Sequence, residues 1–175
     1  MPRMKKKQQF EDLEMIFVDM GQGDCCIVRC PDGKVIMIDC GSSGNLDTTE
    51  YEAARQQLLA WTNGGGIYAI IFTHPDRDHY NMTEQMLRKI NPLTNKTEYI
   101  QVGHVIFSTA YSEKSPMGYY SQSGVRSLIC DGFVGSPQLY EITMNDTDSF
   151  YRLWQKKNND YQEYTETKMT GFNVT

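Results

Sequence analysis

Ile67-Tyr68-Ala69-Ile70-Ile71-Phe72 runs straight into Thr73-His74-Pro75-Asp76-Arg77-Asp78-His79. A strand-sized apolar segment thus ends, without a pause, in two imidazoles and two carboxylates. Two of the chain's three histidines are spent here. Packing gives no reason for such crowding, because desolvated charges must be paired or must bind a cation. A divalent ion resolves the conflict, and imidazole nitrogen with carboxylate oxygen suits zinc, and also manganese or iron. The stretch therefore predicts a buried strand that surfaces at its C-terminal end in a metal site.

Upstream, residues 13–18 read as a strand ending at Asp19, followed by the turn Gly21-Gln22-Gly23-Asp24. Residues 25–29 and 35–38 read as two more strands. Pro31-Asp32-Gly33-Lys34 joins them, since Asp-Gly supplies the positive backbone angle of a tight turn. The third strand ends in Asp39-Cys40-Gly41. Thr48 or Thr49 is expected to cap a helix with Glu50 and Glu52 in its first turn. Tyr51, Ala54, Leu58, Leu59 and Trp61 form its apolar face, and Gly64-Gly65-Gly66 stops it.

Downstream, Met82, Met86, Leu87 and Ile90 recur at helical spacing up to Pro92, with the methionines as core filler. Residues 99–102 and 105–107 suggest strands, 108–123 a loop rich in Ser, Tyr and Gly, and 125–130 and 139–144 further strands. Residues 146–157 read as a helix with Phe150, Leu153 and Trp154 on its apolar face. Beyond Asn158-Asn159-Asp160 no element is predicted. A strand meander followed by alternating helices and strands is mixed α/β order.

The chain has 175 residues, enough for one domain with a substantial core, expected over residues 10–175. Residues 1–9, with Arg3, Lys5, Lys6 and Lys7, are expected to form a disordered basic tail. The net charge of −5 argues against a broad, sequence-independent grip on nucleic acid, while leaving a local basic groove open. No apolar run approaches the ~20 residues that cross a bilayer. No secretory segment follows the basic start, so a cytoplasmic protein without a membrane partner is expected. The five cysteines (Cys25, Cys26, Cys30, Cys40 and Cys130) are odd in number and read as free thiols. Asn81, Asn95, Asn145 and Asn173 open Asn-X-Ser/Thr triplets, read as coincidence because a glycan on Asn81 would block the metal site.

His74-X-Asp76-X-Asp78-His79 resembles the HxHxDH signature of the metallo-β-lactamase superfamily, with Asp76 where the second histidine usually stands. That exchange is similar to one branch, the metallo-hydrolase domains of bacterial DNA-uptake (competence) proteins. Phe17-Val18-Asp19-Met20-Gly21-Gln22-Gly23-Asp24 resembles that branch's opening strand and turn. Pro31 to Lys34 and Ile38-Asp39-Cys40-Gly41 resemble its hairpin and its Asp-bearing strand end. The likeness covers roughly residues 13–79.

The resemblance implies an αββα sandwich, here the N-terminal half plus a variable C-terminal part. It implies two divalent metal ions, zinc first, with manganese or iron as alternatives. His74 and Asp76 would serve one ion, and Asp78 with His79 the other, Asp78 also handling the reaction's proton. Asp39 would orient the ligands from behind, and Asp24 would hydrogen-bond beside the metal loop. The implied chemistry is attack by a metal-activated water on a phosphodiester or another small anionic substrate, nucleic acid included. A carbon ester or lactone shares the fold.

The chain departs from the pattern in two ways. Tyr80-Asn81 replaces the usual small residues, and of the later ligands only His104 is available as a further candidate. The alternative is a catalytically incomplete scaffold or binding module, or one completed by a missing C-terminal half or a partner chain. Oligomeric state is not encoded in any of these motifs.

Overall fold

The computed structural model describes residues 12–63, 65–73, 76–110, 137–144, 149–157 and 160–169. It begins with the predicted meander: β1 (Glu14–Phe17), β2 (Cys26–Arg29) and β3 (Val35–Ile38), each antiparallel to the next. Gly33 takes φ +83° in the β2–β3 turn, where Cys30 N–H donates to Lys34 O at 2.8 Å. The side chain of Asp32 accepts from Lys34 N–H at 3.1 Å, which fixes the turn.

Helix α1 (Thr48–Trp61) is capped by Asp47, not by Thr48 or Thr49. Asp47 is extended, and its Oδ1 accepts the N–H groups of Thr49 (2.8 Å) and Glu50 (3.2 Å). Both threonines already have helical places, so neither side chain can reach forward in that way. β4 (Ile67–Phe72) follows, then a short 3-10 turn (Arg77–His79) and helix α2 (Thr83–Leu87).

The helix expected over 82–90 is thus cut to five residues. Arg88–Ile90 is instead strand β5, paired with β6 (Thr97–Tyr99). Asn91 forces the change: its Oδ1 accepts Leu93 N–H (2.9 Å) and Thr94 N–H (3.2 Å), closing a hairpin turn that a helix could not enter. Ile90 is half exposed, so its helical spacing had no core to serve.

β7 (Val102–Ala110) is one continuous strand where two segments and the start of a loop were expected. The rest of that loop, the strand at 125–130 and the basic tail at 1–9 lie outside the described residues. β8 (Gln138–Met144) matches its prediction closely. β9 (Ser149–Lys157) overturns the helix expected there, and β10 (Asp160–Met169) supplies an element where none was expected. β9 pairs on both sides, with β8 and with β10, and ladder bonding along its whole length outweighs a short apolar pattern that fits either state.

The main sheet has the order β1-β2-β3-β4-β7-β8-β9-β10, parallel from β3 to β8 and antiparallel on both flanks. The fold is mixed α/β with a mostly sheet core. Ile16, Ile27, Met37, Ile70, Val105 and Leu139 are register partners along a row across six strands, and all but Ile16 are fully buried. Tyr51, Ala54 and Leu58 of α1 and Met86 and Leu87 of α2 join the same core. Burying each such aliphatic side chain stabilises the fold by about 1.5–3 kcal/mol. No helix among the described residues is long and apolar enough to cross a membrane.

This topology places the site. β3 and β4 are parallel and end together at one sheet edge, and the antiparallel β2 begins there. Asp39, Thr73 and Asp24 therefore meet although they are far apart in sequence.

Candidate metal centre

Asp39 leaves β3 at φ +52°, a left-handed backbone that Asp tolerates better than most residues. Its N–H donates to Ile71 O at 2.8 Å, which ties it to β4. The carboxylate is buried and fully engaged. Oδ1 accepts Thr73 N–H at 2.8 Å, and Oδ2 accepts the Thr73 hydroxyl at 2.5 Å. His79 Nδ1 lies 3.0 Å from the same Oδ2. Asp39 thus has three donors on its two oxygens, and a donating Nδ1–H would leave His79 Nε2 as the imidazole's ligand atom.

Asp24 stands on the open side of this pair, largely exposed, with Oδ2 3.9 Å from His79 Nδ1. Asp24, Asp39 and His79 each present a ligand atom within 4.8 Å of the others. Burial alone would lower the His79 pKa. The hydrogen bond and charge of Asp39, then the charges of Asp78 and Asp24, outweigh it and hold the imidazole above its usual value.

Three chain segments are stitched together beneath the cluster. Cys40 N–H donates to His79 O (2.8 Å), Met82 N–H to Cys40 O (3.0 Å) and Gly41 N–H to Asp24 O (3.2 Å). Asn81 closes a two-point clamp on Ser42, accepting its N–H and donating to its carbonyl, both at 2.8 Å. Asn81 thus fastens the loop that follows Asp39. Glycine is required at Gly41, where a Cβ would lie 2.3 Å from the Asp78 carbonyl carbon, and at Gly23, where it would lie 2.2 Å from Gly41 O. Burial, with the Cys25 contact and the Asp39 charge, pushes the Cys40 thiol well up, so it stays protonated and makes a poor ligand.

Of the residues expected from sequence, the structure brings Asp24, Asp39 and His79 together. Asp78 sits in the same 3-10 turn as His79 and acts on it through its charge. Asp76 is exposed at the start of that turn and does not belong to the cluster. His74 lies outside the described residues. His104 is in the body of β7, paired in register with Ala69 and held between the rings of Tyr68 (4.8 Å) and Tyr140 (5.5 Å). At about 3.3 Å per residue, the four residues from Ala69 to Thr73 keep it roughly 13 Å from the edge. Sequence reasoning missed Thr73 and Asn81. The only signal for Thr73 was its place directly before the first histidine, at the end of β4.

Nitrogen and carboxylate donors of this kind fit a divalent cation of the zinc or manganese type. Among known proteins, no family model matches the chain and no curated protein matches it.

Proposed function

We propose that the chain is a metal-dependent hydrolase with a metallo-β-lactamase-like sandwich, cleaving a phosphodiester or a related small anionic ester. One observation carries the reading: the Thr73–Asp39–His79 chain of hydrogen bonds, which lies beside the solvent-open Asp24 where β3 and β4 end. A buried carboxylate fixing an imidazole tautomer is the support that a ligating histidine needs.

His79 and Asp24 would hold one cation, a change from the expected pairing of His79 with Asp78, and His74 and Asp76 would hold a second, zinc first and manganese or iron next. When bound, such an ion acidifies a coordinated water and offsets negative charge on the substrate. Asp39 keeps His79 turned toward the cation. Asp78, its neighbour in the same turn, would accept the proton of the attacking water. Charge supports a cation requirement: Asp24, Asp39, Asp76 and Asp78 outnumber His79 and Arg77, so an anionic substrate is repelled until cations compensate. Nucleic acid is one such substrate. The four described free thiols suit a reducing, cytoplasmic setting.

A second reading, a binding module that keeps half of a metal site, is favoured by the position of His104 in mid-sheet, since a catalytic zinc takes three protein ligands. Elemental analysis beside a bis(p-nitrophenyl) phosphate assay separates the two. The hydrolase reading expects two equivalents of metal, and activity falling about 10²–10⁴-fold in Asp78→Ala and in His79→Ala. A folded protein without metal or activity establishes the module instead.

A further inference from the structure

β1 is an outer strand of the main sheet, with no strand among the described residues on its far side. Edge strands usually carry lysine, proline or a bulge that discourages further pairing. Residues 13–17 carry none of these, and their one charge, Glu14, is ion-paired with Arg29 of β2. Leu13, Met15 and Phe17, at alternate positions, are 56%, 47% and 76% exposed.

The ladder makes the same residues the sticky ones. Val18 N–H donates to Cys25 O at 3.0 Å, so 18, 16 and 14 turn their backbone groups toward β2. In an antiparallel pair the residues between them point the other way. Met15 and Phe17 therefore present both unpaired backbone groups and bare apolar side chains. A groove of ≈ 330 Å³ runs between Ile16, Phe17 and Val18 of this edge and Glu50, Ala53, Ala54 and Gln57 of α1.

We propose that β1 is a docking edge for an extended peptide segment of another protein, which adds antiparallel as a further strand. Its residues opposite Phe17 and Met15 would be apolar, the one opposite Ile16 small enough for the groove, and the one opposite Val18 basic to meet Glu50. Charge disfavours a second copy of this chain as the occupant. With the two-fold at Met15, a second copy would set its Asp12 opposite Val18, beside Glu50. Sliding by one step sets its Glu14 there or beside the other Glu14, each ion-paired with Arg29 of its own chain.

The test uses the full chain and the fluorescein-labelled hexapeptide Lys-Val-Ala-Ile-Thr-Val, followed by fluorescence anisotropy. Binding is expected. It should weaken about tenfold or more when the valine opposite Phe17 and the isoleucine are N-methylated, because two backbone hydrogen bonds are lost. Phe17→Lys should weaken it similarly with an unchanged melting temperature, and Glu50→Lys should favour a peptide in which glutamate replaces the lysine. Equal binding of the N-methylated peptide, or indifference to Phe17→Lys, overturns the proposal. So does sedimentation showing a dimer that Phe17→Lys dissolves, because a second copy would then own the edge.

Discussion

Asp39 holds the candidate site together through Thr73 and His79. Replacing it with Asn keeps the shape but removes the charge that holds the His79 proton on Nδ1. Zinc affinity should fall about 10–100-fold, read by competition with a chromogenic chelator. The pH dependence has a definite sign. The His79 pKa is raised, so proton and cation compete over a higher range than for a free imidazole, and metal binding should strengthen as pH rises through that range. In the metal-free protein the same shift stabilises the fold. That contribution is complete below the unfolded pKa of about 6.5 and is lost as pH rises through the folded value. Unfolding midpoints at about pH 6 and pH 9 should therefore draw together in Asp39→Asn, and an unchanged gap would refute the assignment. Sequence marked Asp39, Asp24, Asp78 and His79 because carboxylate and imidazole at strand ends are chemically conspicuous. It could not mark Thr73 or Asn81, ordinary polar residues that matter only through the segment opposite.

At the scale of elements, the helix cap offers a clean discrimination. Asp47→Ala should cost about 1 kcal/mol in chemical denaturation, whereas Thr48→Ala should cost little, since its hydroxyl caps nothing. The front of the chain was legible because local chemistry decides it: Asp32-Gly33 makes a turn, and six apolar residues before Thr73 make a buried strand. The rear was not. Phe150, Leu153 and Trp154 fit one face of a helix, yet their stretch is strand β9 because β8 and β10 lie beside it, a fact no local window contains. α2 failed for the opposite reason, when Asn91 imposed a turn that ended the apolar period early.

The whole molecule depends on the row from Ile16 to Leu139, which is only as good as its central members. Ile70 is fully buried between β3 and β7, so Ile70→Ala should cost about 2–5 kcal/mol, measured as a lowered urea midpoint. Ile71, its neighbour on the other face, is only partly buried and should cost less when truncated.

The stitched edge also makes any captured ion a tether. Asp24 and His79 lie on segments far apart in the chain, and Asp39 ties His79 to a third, so one cation held by Asp24 and His79 would close a large ring as a covalent crosslink would. Chelation should then quicken amide deuteration around residues 19–24 and 39–44 while leaving the middle of β7 as slow as before. Loosening would spread from one rim of the sheet rather than through its centre.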